Sequence, residues 1–176
     1  MRYRADIDGL RSIAVLAVVL FHLSLPGFEG GYVGVDVFFV ISGFLITSLI
    51  IGQIETNTFS LRDFYSRRIR RLLPPLIATV FFTAVVSLLI LNPIDMQSFG
   101  RSSASALLSI SNFIFYLESG YWDSASELKP LLHTWSLSIE EQFYLFWPLT
   151  IVFFCSISKT FPLSISIFLV SVLSFI

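Results

Sequence analysis

The chain has 176 residues, of which 55% are hydrophobic and only 13% are charged. A soluble domain usually carries about 25% charged residues, so the composition excludes an ordinary soluble fold and indicates a membrane protein. The single cysteine, Cys155, excludes a disulfide within the chain and a cysteine-based metal cluster, and we predict no metal site.

Charged residues are confined to short stretches between long apolar runs. Six runs contain no Asp, Glu, Lys or Arg: Ile13–Phe28, Val37–Ile54, Leu72–Ile94, Ser102–Leu117, Gln142–Ser158 and Thr160–Ile176. Several approach the roughly 20 residues that a helix needs to cross a bilayer. We therefore predict an all-α, polytopic transmembrane helix bundle, with five or six spans and no soluble domain within residues 1–176.

The first run contains His22, and Arg11 precedes it by eleven residues. Eleven helical residues turn about 1100° and rise roughly 16 Å, so both side chains lie on one stripe of one helix. Ionisable groups at membrane depth are costly and usually functional. We therefore interpret Arg11 and His22 as part of intramembrane chemistry or of a polar channel. Arg11 is expected nearer the cytosol and His22 deeper, too far apart for a direct hydrogen bond.

The N-terminal stretch does not have the pattern of a cleaved signal peptide. Asp6, Asp8 and Arg11 interrupt its basic part, and no small-x-small cleavage site precedes Phe28, so we expect a retained first span. Arginines precede this span and follow the second, whereas the connector between them contains no lysine or arginine. The positive-inside rule then predicts a cytoplasmic N-terminus.

The connector Gly30–Asp36 is rich in glycine. It is only faintly similar to a phosphate-binding loop, because no Lys and Ser/Thr follow at the required spacing, and we interpret it as a tight turn between two spans. Ser42 and Gly43 interrupt the second run. Small residues of this kind let membrane helices approach closely.

Five arginines follow the second run, at positions 62, 67, 68, 70 and 71. Arg67 and Arg71 are i, i+4 neighbours, and Arg68 and Arg71 are i, i+3 neighbours, so several guanidiniums share one helix face. Forked guanidiniums bind phosphate oxygens bidentately. Arginines at such a place also anchor a span to lipid headgroups, so a phosphate-bearing ligand and an ordinary anchor are both open. The cluster is too short to indicate nucleic acid.

The later runs are less decisive. The third span is predicted to begin at Pro74, where proline suits a helix start, and to end near Asn92. The run Ser102–Leu117 is short and rich in serine, and it either spans the membrane or lies at its surface. Thr160–Ile176 is predicted to be a further span.

A second polar group lies between positions 133 and 144. In a helix, His133, Glu140 and Tyr144 fall within about 60° of one another, and Glu141 lies further round. A histidine with a glutamate two turns on can act as an acid–base pair. The same residues also suit the interfacial start of a helix, with carboxylates near the positive end of its dipole and Trp135 and Tyr144 in an aromatic belt.

Four ordered motifs carry a resemblance to a known family. They are Arg11-x10-His22, Gly31–Ile46, Phe64–Pro74 and Pro130–Leu145. Together they resemble the N-terminal half of an integral-membrane acyltransferase of acyltransferase family 3. The last motif is most similar to bacterial enzymes that O-acetylate lipopolysaccharide, peptidoglycan or other surface glycans.

The resemblance implies a bundle of about ten spans in the bacterial inner membrane, of which this chain supplies the first part. It implies transfer of an acyl group, most simply acetyl, from cytosolic acyl-CoA to a hydroxyl of a surface glycan or lipid-linked saccharide. Acyl-CoA would be a co-substrate, with no bound cofactor. The bilayer, the glycan acceptor and a separate C-terminal fragment are the expected partners, and nucleic acid is not.

The resemblance and the polar residues together give the expected site. The catalytic residues are Arg11, His22, Glu140 and Glu141, the acyl-CoA site is Arg67, Arg68 and Arg71, and the substrate channel is Asp36, Ser42, His133, Trp135 and Tyr144. The alternative is a non-catalytic, transporter-like subunit in which Arg11, His22 and Glu140 line a polar path.

Overall fold

The computed structural model describes residues 4–118 and 129–157. These ranges contain six α-helices: α1 (Ala5–His22), α2 (Gly34–Glu55), α3 (Leu61–Ile90), α4 (Pro93–Leu107), α5 (Ser111–Glu118) and α6 (Thr134–Ile157). A short 3₁₀ helix, Gly31–Val33, precedes α2. No strand occurs in the two described ranges, which confirms the all-α class.

The chain divides into two compact units, and each is described by itself. The first comprises residues 1–59 and 144–176, and the second comprises residues 60–143. Helices α1 and α2 and the C-terminal part of α6 therefore belong to the first unit. Helices α3, α4 and α5 and the N-terminal part of α6 belong to the second.

In the first unit, two glycines let α2 and its 3₁₀ turn approach α1 closely. A Cβ atom at Gly31 would overlap the carbonyl oxygen of Ala17, and one at Gly34 would overlap that of Ala14. The later glycine meets the earlier alanine, so the two helices run antiparallel. The glycine-rich connector is thus a helix-packing contact as well as the predicted turn, and close approach of this kind is typical of membrane helices.

The rest of this unit packs α6 on α2. Ile46, Ile50 and Ile151 are almost fully buried. The indole Nε1 of Trp147 donates a 2.7 Å hydrogen bond to the Thr47 hydroxyl, which itself donates to the Gly43 carbonyl. The polar end of a half-buried indole is thereby satisfied inside an apolar contact.

Helix α1 differs from the predicted first span, because it begins at Ala5 and ends at His22 rather than continuing to Phe28. Ser24 adopts a left-handed conformation (φ 51°). The Ser24 N–H binds the Phe21 carbonyl and the Leu25 N–H binds the Leu20 carbonyl, at 2.9 and 3.2 Å. This pair of bonds is the Schellman motif, which ends a helix and satisfies its last carbonyls.

The predicted helix start at Pro74 is wrong. Helix α3 begins at Leu61, where the Ser60 hydroxyl accepts the Asp63 N–H, and both Pro74 and Pro75 lie inside it. Each proline leaves one carbonyl of the preceding turn without its helical donor, yet the helix continues. The arginine segment and the apolar run are therefore one helix. The predicted end is confirmed, because α3 stops at Ile90 and Asn92 caps α4.

The run Ser102–Leu117 is not a single span. Helix α4 ends at Leu107, Ser109 adopts a left-handed conformation (φ 57°), and α5 starts at Ser111. With eight residues, α5 is about 12 Å long, far shorter than a bilayer.

Two helices are long and apolar enough to cross a membrane, and they cover Gly31–Glu55 and Leu61–Ile90. The predicted five or six spans are not confirmed within residues 4–118 and 129–157. The run Thr160–Ile176 lies outside the described residues.

Candidate functional site

Arg11 and His22 lie on one helix, as predicted. The guanidinium carbon of Arg11 is 4.9 Å from the centre of the Phe38 ring on α2, and the Arg11 side chain is half-buried. A cation over an aromatic face is attracted by the negative face of the ring. The contact therefore holds Arg11 between α1 and α2.

His22 is the last residue of α1 and is exposed in the structure. Its Nδ1 lies 2.8 Å from the carbonyl oxygen of Val18, one turn earlier. The ring meets Phe21 edge-on, with centroids 5.2 Å apart, and Phe21 meets Tyr32 at 5.7 Å. His22 thus sits where the end of α1 meets the 3₁₀ turn, and its predicted deeper position in the membrane stays a prediction.

The predicted channel residues of α2 have different environments. Asp36 is exposed in the first turn of α2. Ser42 is 4% exposed, and its hydroxyl has no hydrogen-bond partner in the part of the chain that the structure describes. Ser42 lies one turn beyond Phe38, on the helix face that carries the contact with Arg11.

The connector between α1 and α2 contains Glu29, whose carboxylate binds backbone N–H groups of the connector. Glu29 accepts a 3.1 Å hydrogen bond from the Gly27 N–H, and Gly27 has a φ of 90°. Hydrogen bonds from the N–H groups of Glu29 and Gly27 lower the pKa of the Glu29 carboxyl. Glu29 therefore stabilises the turn after α1.

The three arginines of the predicted acyl-CoA site lie on α3. Arg67 and Arg71 are exposed, and Arg68 is half-buried with its guanidinium carbon 5.7 Å from the centre of the Phe64 ring. Phe64 itself is 2% exposed. Because the helix is continuous through this segment, the predicted shared face of the guanidiniums follows from its geometry.

The helix that carries most of the second polar group, α6, begins at Thr134, one residue after His133. His133 is exposed and precedes α6, whereas Glu140 and Tyr144 are buried. Trp135 is 37% exposed. The predicted stripe therefore holds for Glu140 and Tyr144, while His133 lies outside the helix, so its pairing with Glu140 stays a prediction.

Glu141 belongs to a network that sequence reasoning missed. The Ser109 hydroxyl donates to the Glu141 carboxylate, and the Ser109 carbonyl accepts from Gln142 Nε2 at 2.7 Å. Gln142 Nε2 also donates to Asn112 Oδ1 at 2.8 Å. These bonds tie α6 to the corner between α4 and α5.

A second set of hydroxyl bonds lies beside the first. The Ser111 and Ser138 hydroxyls are 2.7 Å apart, and the Thr134 hydroxyl donates to Ser111 at 3.1 Å. Ser111 and Ser138 are almost fully buried. The sequence signal was the spacing of Thr134, Ser138, Glu141 and Gln142, which puts all four on one side of a helix, together with the serine-rich partner segment.

A buried ion pair joins the two sides of the segment 119–128. The Lys129 ammonium is 3.1 Å from the Glu118 carboxylate, with side-chain exposures of 4% and 25%. It also lies 5.9 Å from the centre of the Phe115 ring.

The structure thus assigns the candidate residues to two sets. Arg11, His22, Asp36, Ser42 and Tyr144 lie in the first unit. The second unit holds Arg67, Arg68, Arg71, His133, Trp135, Glu140 and Glu141.

Similar proteins match this chain over most of its length. O-acetyltransferase OatA of Staphylococcus aureus is 39% identical over 176 residues, which is 98% of this chain and 29% of the relative. Peptidoglycan O-acetyltransferase OatA of Listeria monocytogenes is 40% identical over 156 residues, which is 87% of this chain and 25% of the relative. The chain therefore spans less than a third of the length of these relatives. No solved structure matches it.

The family model described as an acyltransferase domain matches residues 4–176. This match includes both glycines of the α1–α2 contact, the arginine face of α3 and the polar face of α6. The chain therefore belongs to the acyltransferase 3 family.

Proposed function

We propose that the chain is the N-terminal part of a bacterial membrane O-acyltransferase. It transfers an acyl group, most simply acetyl, from cytosolic acyl-CoA to a hydroxyl of a cell-surface glycan. The observation that carries the proposal is the family match over residues 4–176, supported by relatives whose names specify O-acetyl transfer.

The chemistry needs a base for the acceptor hydroxyl and positive charge for the donor phosphates. His22 supplies an imidazole, whose ring nitrogens can take up and release a proton. Arg67, Arg68 and Arg71 supply forked guanidiniums on one helix face. Arg11 would hold charge on the donor or on the developing oxyanion, while Phe38 fixes its position.

We propose a catalytic role for Glu140 and a positioning role for Glu141. Glu140 is buried one turn before Tyr144, so it is our choice for the second proton-transfer group. Glu141 is engaged by Ser109, which supports a positioning role rather than the catalytic one predicted from the sequence. The channel residues Asp36, Ser42, His133, Trp135 and Tyr144 are proposed to contact the acceptor.

The proposed orientation of the chain in the membrane is based on the positions of its arginines. We place the N-terminus and the start of α3 in the cytosol, where acyl-CoA is available, so that α1 and α2 both cross the membrane and α3 crosses it again. The glycan is modified on the opposite side.

A chimera tests the proposal. These 176 residues replace the matching N-terminal residues of the Staphylococcus aureus relative, in cells that lack their own enzyme. We expect the chimera to restore O-acetyl groups to the cell-wall glycan, as read by mass spectrometry, and to release free CoA thiol from acetyl-CoA in membranes.

In the same chimera, His22→Ala should abolish acylation while membrane insertion persists. Leu23→Ala is the matched control, because Leu23 is the exposed neighbour of His22. Unchanged acyl content in His22→Ala would remove His22 from catalysis. Glycan modification that needs no acyl-CoA would instead favour a transporter-like role.

A further inference from the structure

The atom of His22 that takes a proton can be identified from the helix end. The Val18 carbonyl lies 2.8 Å from Nδ1. A carbonyl oxygen only accepts hydrogen bonds, so the hydrogen of this bond must be carried by Nδ1. In a neutral imidazole the other nitrogen, Nε2, then carries the lone pair.

We infer that His22 acts through Nε2, in a tautomer that the Val18 carbonyl selects. The inference rests on the proposed function, because it names the reacting atom of the same site. The backbone carbonyl is the positioning group, in the place that a carboxylate takes in many catalytic histidine pairs.

The helix end keeps this carbonyl available in a fixed position. Ser24 and Leu25 close the Schellman motif through the carbonyls of Phe21 and Leu20, and the Leu23 N–H binds that of Val19. The Val18 carbonyl takes part in none of these three capping bonds. Phe21, edge-on to the imidazole, limits rotation of the ring from one side.

The step balances as a direct transfer. The acceptor hydroxyl gives its proton to Nε2, and its oxygen attacks the thioester carbonyl carbon of the donor. The C–S bond breaks, and the CoA thiolate takes the proton from Nε2. Nδ1–H stays bonded to Val18 throughout, so the ring need not turn between uptake and release of the proton.

Nitrogen NMR of the whole chain in lipid bilayers tests the tautomer. The chain has two histidines, so ¹⁵N-histidine labels only His22 and His133, and the spectrum of His133→Gln assigns them. At a pH where the ring is neutral, we expect a pyrrole-type shift for Nδ1 of His22 and a pyridine-type shift for Nε2. The reverse pattern, or an averaged signal at both nitrogens, would overturn the inference.

A backbone ester gives the second measurement. A hydroxy acid at position 19 turns the Val18–Val19 amide into an ester, whose carbonyl is a weaker acceptor. We expect the Nδ1–H population of His22 to fall, whereas the same change at the Val15–Leu16 bond leaves it intact. An unchanged tautomer in the first ester would show that Val18 does not select it. Loss of acylation with the Nδ1–H tautomer in place would count against the proposed function and not against this assignment.

Discussion

At the scale of single residues, the adjacent Glu140 and Glu141 show that one step along a helix places two carboxylates in different surroundings. Their side chains point about 100° apart, so one is buried and the other reaches Ser109. A hydrogen bond to a charged group contributes about 1.5–3 kcal/mol, and an unpaired buried partner costs a similar amount.

The first prediction concerns the contact between Glu141 and Ser109. We expect Glu141→Ala and Ser109→Ala each to lower the free energy of unfolding by about 1–3 kcal/mol, because each leaves its partner unpaired. The double variant should cost little more than either single one, since both remove the same bond. Thermal unfolding in detergent measures all three variants. Additive losses would show that Glu141 and Ser109 do not stabilise the protein through a common hydrogen bond.

The second prediction concerns Glu140. We expect Glu140→Gln to reduce acyl transfer by roughly 10²-fold or more with an almost unchanged melting temperature, because the amide keeps the shape but cannot accept a proton. Glu141→Gln is the matched control, since its amide oxygen can still accept from Ser109. Equal losses of activity in both variants would contradict the division between the two residues.

The third prediction concerns the start of α1. Arg4 binds Asp6 with a shortest distance of 2.6 Å, and this hydrogen bond lowers the pKa of the Asp6 carboxyl to about 2. Because the folded pKa is lowered, the contact is fully present above the unfolded value of 3.8 and is lost as the pH falls towards 2. Its effect on stability is small, since both side chains are largely exposed. Carboxyl ¹³C titration should give a midpoint near 2, and Arg4→Gln should return it towards 3.8; equal midpoints would show that the pair does not form.

At the scale of helices, three helices have the same backbone arrangement at their C-termini. α1, α2 and α4 all end with a residue other than glycine in the left-handed region, at Ser24, Asn57 and Ser109. In each, the N–H of the left-handed residue and the N–H of the residue after it bond back to carbonyls of the last turn. Left-handed backbone costs an L-residue about 1–2 kcal/mol, so these ends retain some strain.

The fourth prediction uses two of these ends as a pair. Ser24→Gly should raise the free energy of unfolding by up to about 1 kcal/mol, because glycine adopts φ near 51° without a steric cost. Ser109→Gly relieves the same strain but removes the hydroxyl that binds Glu141, so it should give no such gain. Chemical unfolding of the two variants measures the difference, and equal gains would mean that the Ser109 hydroxyl contributes nothing.

The fifth prediction concerns the α1–α2 contact. Gly31→Ala and Gly34→Ala should destabilise by about 1–3 kcal/mol or more, because the added methyl overlaps backbone of α1. Gly52→Ala, in the same helix but with nothing within 4 Å, should be neutral or stabilising. Melting temperatures of the three variants check this, and a loss in all three would point to backbone flexibility instead.

Helices α1, α2 and α3 also show which structural features the sequence predicts and which it does not. The apolar run Val37–Ile54 lies within α2. The thickness of a bilayer sets both the length of a membrane-crossing helix and the length of its apolar run, so the run predicts the helix. The end of α1 was missed because serine, rather than the expected glycine, occupies the left-handed position. The start of α3 was missed because proline is common at helix starts, whereas here the helix begins at Leu61 and continues through both prolines.

At the scale of the molecule, α3 is too long for the membrane alone. Its thirty residues extend about 45 Å, whereas the hydrocarbon core is about 30 Å thick. The part from Leu72 to Ile90 has about the length of the core, so a membrane placed there would leave the arginine segment beyond it. A span and a cationic surface on one helix would hold phosphates at a fixed depth next to the membrane.

The last prediction decides between a donor site and a lipid anchor. Arg67, Arg68 and Arg71 replaced together by glutamine should weaken binding to a CoA-bearing resin by about 100-fold, since the loss of two charge-assisted bonds of about 1.5 kcal/mol each gives this factor. Arg62, Arg70 and Arg101 replaced by glutamine form the matched control, because the same charge is removed from outside the shared face. A general electrostatic attraction would weaken equally in both triple variants. Full binding by the first variant, with intact insertion, would assign the three guanidiniums to lipid headgroups and leave the donor site elsewhere in the protein.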